Sequence, residues 1–124
     1  MIVEQIDRLK EAAAELDWTA STLTSHTAEG AEIYCVDFEA YSPAGEDFIF
    51  SVWGENAEEI VQEVCEYADN FDETEHVIQW IGGSGAPDAL TLAIDAKKIH
   101  VMLFELATRL LKELRKINKE AANE

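Results

Sequence analysis

Between Glu11 and Ala96 the chain contains no lysine and no arginine. The same stretch holds 20 of the 26 carboxylates, so all nine basic side chains lie in the first ten or the last 28 residues. The formal net charge of −17 argues against a protein that holds DNA, RNA or an anionic membrane by electrostatic attraction. Cysteine is nearly absent too: Cys35 and Cys65 are too few for a disulfide scaffold and form no C-x-x-C pair. No basic segment leads into an apolar run, and no run of 18 apolar residues occurs, so neither a signal peptide nor a membrane span is expected. A cytoplasmic, reduced protein is the expectation. Only six glycines and two prolines interrupt the chain, and no Gly/Ser linker or internal repeat divides it.

What is present is core-forming material. Hydrophobic residues make up 48% of 124 positions and aromatics 9%, too apolar for a disordered acidic tail. Residues 1–124 are read as one acidic domain.

Hydrophobic spacing places the elements. Ile2, Ile6, Leu9, Ala13 and Leu16 repeat at threes and fours, which predicts a helix over 2–16, with Trp18 closing its end. The Thr/Ser-rich stretch 19–27 lacks a period and reads as a surface loop or an irregular strand. From Glu32 to Tyr41 the sequence alternates, with Tyr34, Val36, Phe38 and Ala40 on one face and Cys35, Asp37 and Glu39 on the other. Residues 47–53 alternate again through Phe48, Phe50 and Val52, after the turn signal Ser42-Pro43-Ala44-Gly45. A hairpin loop of three or five residues sets Phe38 opposite Phe50 and Val36 opposite Val52, whereas a one-residue slip would bring Phe48 and Phe50 beside carboxylates.

Asn56 with Glu59 three residues on is a capping-box pattern for a second helix. Its apolar stripe is Ala57, Ile60, Val61, Val64 and Ala68, with Cys65 beside it; Glu55, Glu59, Glu63 and Glu66 face outward. The β-rich run His76 to Ile81, ending at Gly82-Gly83-Ser84-Gly85, predicts a third strand. Ile99, Leu103, Leu106, Leu110, Leu114 and Ile117 predict a long amphipathic helix over about 92–118, with Asp95 near its start and Arg115, Lys116 and Lys119 near its end, as the helix dipole favours. The order α-β-β-α-β-α implies an α+β two-layer fold, a three-stranded antiparallel sheet of order 2-1-3 with helices on one face and Asp37 and Glu39 on the open one. The last helix outruns such a sheet, so Leu110, Leu114 and Ile117 are the candidate contacts of a homodimer.

Chemistry-bearing constellations are sparse. His26, His76 and His100 share no metal-ligand spacing, and on a strand Glu75 and His76 would face opposite ways, so no metal site and no cofactor site is read. The glycine-rich stretch lacks the lysine of a phosphate loop, and Ser42 or Ser84 with His76 and Asp72 makes a triad only on paper. Both cysteines read as buried thiols with nothing basic nearby to activate them. Of Trp18, Trp53 and Trp80, two read as core edges and one as an exposed anchor for a partner. An enzyme of unknown class is the weakest reading, and no catalytic residue is assigned.

The acidic surface is the remaining feature. Its members are Asp37 and Glu39, Glu46 and Asp47 at the turn, Glu55, Glu59, Glu63 and Glu66 on the second helix, and Asp69, Asp72, Glu73 and Glu75 beyond it. Twenty carboxylates serve solubility without any special arrangement, but solubility does not require the absence of every cation over 86 residues. The pattern points to a basic protein partner, with no direct binding of nucleic acid or membrane. The string Tyr41-Ser42-Pro43-Ala44-Gly45-Glu46-Asp47-Phe48, the Trp80 segment and the Leu103–Leu114 helix resemble small acidic proteins, mostly uncharacterised, of phages and mobile elements in gut Firmicutes, over about residues 31–114. That resemblance implies a setting of mobile DNA, and with it a DNA-mimic-like inhibitor or regulator of a nucleic-acid-binding host protein. The alternative is a structural or regulatory accessory protein that self-associates through apolar helix surface.

Overall fold

The computed structural model describes residues 2–83 and 85–123. The chain runs α1 (Ile2–Ala14), β1 (Thr19–His26), β2 (Glu32–Tyr41), β3 (Asp47–Gly54), α2 (Ala57–Asn70), α3 (Glu73–Trp80) and α4 (Ala89–Ala122). It is an α+β fold: three antiparallel strands in the order β1-β2-β3, with the buried face of the sheet turned toward the helices.

The hairpin follows from its alternation. Val36 stands opposite Val52 and Phe38 opposite Phe50, across a five-residue loop from Ser42 to Glu46. Phe38 and Phe50 stack at 5.3 Å between ring centroids, Tyr67 of α2 stacks on Phe50 at 4.3 Å, and Trp18 meets Phe50 edge-on at 5.7 Å. Gly54 ends β3 where a Cβ would lie 2.8 Å from Glu59 Cβ and 3.0 Å from the Ile60 nitrogen. The absent side chain is what lets the first turn of α2 come down on the strand end.

The expected strand over 76–81 is instead α3, and the third strand is Thr19–His26. Two local features override the β-propensity of His76 to Ile81. Asp72 N-caps the helix, its Oδ1 accepting from the Glu75 nitrogen at 3.0 Å, and His76 Nε2 binds Glu46 Oε2 at 2.8 Å from within the helix. None of its residues is fully buried, so it lies as an outer helix against α4. The 19–26 segment hides its period because only Ala20 and Thr22 turn even partly inward along an otherwise exposed edge. The middle strand is the expected one; its second neighbour comes from before it in sequence rather than after.

α1 ends in a 6→1 bond from Trp18 N to Ala13 O and a 5→2 bond from Asp17 N to Ala14 O, with Asp17 at φ 65°. That turn drops Trp18 into the core. Ile2, expected on the buried stripe, is exposed at the start of the helix. Leu110 and Ile117 are buried and Leu114 is half-buried, all packed within their own chain, because α1 lies along α4 and covers them. Leu110, Leu114 and Ile117 thus pack into the chain's own core rather than standing free as the expected dimer contacts.

Phe38→Ala or Phe50→Ala is expected to cost about 3–5 kcal/mol, the usual range for a truncated core phenylalanine, measured by chemical denaturation. A loss below about 1 kcal/mol in either would contradict the packing of the hairpin on α2.

Candidate acidic interface

α2 is held by both its ends. Asn56 Oδ1 accepts from the Glu59 nitrogen at 2.9 Å, and Glu59 Oε2 reaches back to the Glu55 nitrogen at 3.3 Å, so the expected cap is present with its return bond shifted one residue upstream. Ala57, Ile60, Val61, Val64 and Ala68 are buried as the stripe requires, and Cys65 is partly buried. At the far end Phe71 packs against His76 at 5.4 Å and His100 at 5.3 Å. These contacts leave Glu55, Glu58, Glu63, Glu66 and Asp69 exposed, with Glu59 half-exposed beside them.

The cations are elsewhere. Arg8 donates to Glu113 at 2.7 Å and to Glu120, while Arg109 donates to Glu113 at 3.1 Å and Glu15 at 2.9 Å. Lys10 lies 3.8 Å from Asp7, and Lys97 3.5 Å from Glu73. Among the described residues, no lysine or arginine forms an ion pair with a carboxylate of α2. Glu66 accepts from its neighbour Gln62, at 3.3 Å.

Beyond the end of α2 a groove of about 260 Å³ is lined by Tyr67, Asn70, Phe71, Asp72, Glu75, His76 and Gln79. Aromatic faces with two carboxylates form a surface suited to the stem and head of a lysine or arginine, by cation–π contact and charge-assisted hydrogen bonding. Sequence reasoning missed this groove because it assigned 76–81 to a strand.

The twelve candidate acidic residues do not form one face. Asp37, Glu39 and Asp47 belong to the hairpin, and Asp37 and Glu39 look out from the side of the sheet opposite the core. Asp37 Oδ1 accepts from Ser51 Oγ at 2.5 Å, and the hydrogen bond with Asp47 raises the Glu39 carboxyl above the usual range. Glu46 is taken up by His76, and Glu73 by His100 and Lys97. Glu55, Glu59, Glu63, Glu66 and Asp69 are brought together along α2, continued by Asp72 and Glu75 at the groove.

Other sequence candidates resolve into structural roles. Ser42 Oγ donates to Asp95 Oδ2 at 2.6 Å and accepts from the Glu46 nitrogen at 3.0 Å, while His76 binds Glu46 and Asp72 caps α3, so Ser42, His76 and Asp72 do not assemble a triad. Ser84 lies outside the described residues. Cys35 is buried at the outer sheet face between its partners Leu23 and Trp53, and Cys65 lies beside the core; burial first, then neighbouring carboxylates, pushes both thiols up and away from reactivity. Trp18 is buried, Trp80 half-buried and Trp53 exposed.

Two buried carboxylates organise the scaffold behind this surface. Asp95 takes the Ser42 hydroxyl and the Ala44 nitrogen, at 3.0 Å, and so fixes the hairpin turn to α4. Glu113 lies between Arg8 and Arg109, where burial pushes its carboxyl up but the hydrogen bonds from the two guanidinium groups outweigh it and hold the carboxyl below its ordinary value. The hydrogen bond from His100 likewise lowers Glu73, against a smaller opposing effect of burial and with help from Lys97. The sequence carried a signal for both buried acids. Asp95 sits three after Leu92 and four before Ile99, and Glu113 three after Leu110 and four before Ile117, so each occupies a position of the apolar stripe.

A carboxyl depressed on folding contributes stability that is present above its unfolded value, about pH 4.3 for glutamate, and lost as pH falls through the folded value. Glu113→Gln is therefore expected to be less stable than the parent by roughly 1–3 kcal/mol at neutral pH, with the gap closing as acid is added below about pH 4. Urea denaturation of both proteins across that range measures it. A gap that stays constant with pH would contradict the role given to the ionised carboxylate.

No family model, no curated protein and no solved structure matches the chain.

Proposed function

We propose that this chain is a non-catalytic interaction protein whose α2 face binds a basic protein partner. The observation that carries the reading is the row of carboxylates on α2, which pairs with no lysine or arginine among the described residues, while six ion pairs involve the arginines and lysines of α1 and α4. Like charges at helical spacing repel by a few tenths of a kcal/mol per pair, and a neighbouring cation would relieve them. An incoming cationic surface supplies that relief on binding.

Spacing narrows the kind of partner. From Glu55 to Asp69 six carboxylates are distributed along the helix direction over about 21 Å, a mean step of about 4 Å at the 1.5 Å rise of an α-helix. One strand of B-form DNA carries a charge every 3.4 Å of axis. The α2 row is sparser than such a strand but of the same order, which is compatible with a nucleic-acid-binding protein as the partner, and the groove at its end offers an aromatic anchor for one basic side chain, because charge complementarity alone sets rate and specificity more than affinity. The mobile-DNA setting implied by the resemblance favours the same kind of partner. In this reading the chain itself binds no DNA or RNA, and its role is that of an inhibitor or regulator working in the cytoplasm.

The test is affinity capture from a Firmicute host extract with the immobilised chain, at low and moderate salt, against a Glu58→Gln/Glu63→Gln/Glu66→Gln variant. Glu59 is left intact because it serves the cap. A second variant, Asp72→Asn/Glu75→Gln, removes charge from the groove while asparagine preserves the N-cap. The reading expects a nucleic-acid-binding protein that is released by salt, lost with the triple substitution and displaced by its own nucleic acid. Partners that survive salt and ignore both variants would overturn it.

A further inference from the structure

The helix α4 has two apolar faces. One is the buried stripe through Leu92, Ile99, Leu103, Leu106, Leu110 and Ile117. On the opposite side Leu90, Ile94, Val101, Phe104 and Leu111 are between 41% and 72% exposed. With Lys97, Thr108 and Arg115 these positions are spaced alternately by four and three residues from 90 to 115, the heptad spacing of a coiled-coil seam. A surface helix of a single domain needs only the stripe that faces its core. A second stripe in strict heptad register, spanning about 32 Å from Leu90 to Leu111 at 1.5 Å per residue, is the surface of a helix that packs on two sides. Beside it a groove of about 430 Å³ is lined by Leu16, Val101, Phe104, Glu105, Thr108, Arg109 and Lys112.

The charges flanking this seam identify its occupant. Taking Ile94, Val101 and Thr108 as the first apolar position of each heptad and Lys97, Phe104 and Leu111 as the second, the flank next to the second position carries Lys98, Glu105 and Lys112. In an antiparallel pair this flank meets itself. When Val101 faces Phe104 of a second copy, Ile94 faces Leu111 of that copy, and Lys98 meets Glu105 across the two-fold axis, twice. A parallel pair does not bring these two residues together in that way. The seam also lies mostly in the part of the chain, residues 97–124, where seven basic residues outnumber four acidic ones. It is the region in which two molecules of net charge −17 approach with least repulsion.

We propose that the chain forms an antiparallel homodimer through the outward face of α4, with Val101 opposite Phe104 and Lys98 paired with Glu105 of the second copy. The pairing is two-fold and isologous, so it closes at the dimer. It uses neither the carboxylates of α2 nor the groove at Tyr67, and it stands or fails independently of the partner reading above.

Sedimentation equilibrium of the full chain from 5 to 200 μM, at about 0.1 M salt, tests it. The expected result is a mass rising toward twice 13.9 kDa. Val101→Glu, at an exposed position that the fold does not need, is expected to give a monomer with an unchanged circular dichroism spectrum and unfolding transition. Lys98→Glu and Glu105→Lys each place two like-charged pairs across the axis and are expected to weaken dimerisation about tenfold, and the double exchange Lys98→Glu/Glu105→Lys to restore it. A parent that stays monomeric at 200 μM overturns the proposal. So does a dimer that Val101→Glu leaves intact, or a charge exchange that fails to restore what the single changes removed.

Discussion

A carboxylate can be buried in this chain only where the few available cations or hydrogen-bond donors are brought to it. Glu113 is the clearest instance: it lies on the buried stripe of α4, and the guanidinium groups of Arg8 and Arg109 converge on it. Burying an unpaired carboxylate would cost several kcal/mol, so α1 must lie along α4 in the register that delivers Arg8. The same arginines reach Glu120 and Glu15, which ties the ends of both helices into one network. Among the described residues, the arginines and lysines that form ion pairs do so with Asp7, Glu15, Glu73, Glu113 and Glu120, and none pairs with a carboxylate of α2.

Two further polar ties transmit this order to the rest of the fold. Asp95 fixes the hairpin turn by taking the Ser42 hydroxyl and the Ala44 nitrogen, and Ser42 in turn accepts from Glu46. Glu46 then binds His76 of α3. His100 joins the end of α2 to α3 and α4, with Ala68 O accepting at Nε2 and Glu73 at Nδ1, both at 2.9 Å. α2 and the groove beyond it are consequently presented on a rigid frame, which lowers the ordering cost of any interface formed there.

The hairpin register, the α2 cap and the inner stripe of α4 were legible in the sequence because each rests on strong local periodicity or a cap. Phe38 opposite Phe50 follows from alternation, and Asn56 with Glu59 from cap chemistry. The 76–81 segment misled because its β-branched and aromatic residues point to a strand, while Asp72 and Glu75 just upstream carry the capping pattern that decides the outcome. The strand at 19–26 carries no alternation because its inward positions are Ala20, Thr22 and Thr24, of which the first two are partly buried and the third exposed. The candidate acidic surface was legible as composition but not as geometry: only the folded chain separates the α2 row from Asp37 and Glu39 on the outer sheet face, and Glu46 and Glu73 from both.

A binding surface confined to the α2 row and one spread over the acidic surface in general are distinguished by a defined cationic probe. Backbone amide NMR of the isotopically labelled chain, titrated with a decalysine peptide at low ionic strength, reads the binding surface residue by residue. The account expects shift changes concentrated over residues 55–79, saturating together and collapsing as salt shortens the Debye length below about 8 Å. Changes of equal size at Asp37, Glu39 and Asp47, or spread over every acidic residue of the surface, would contradict it.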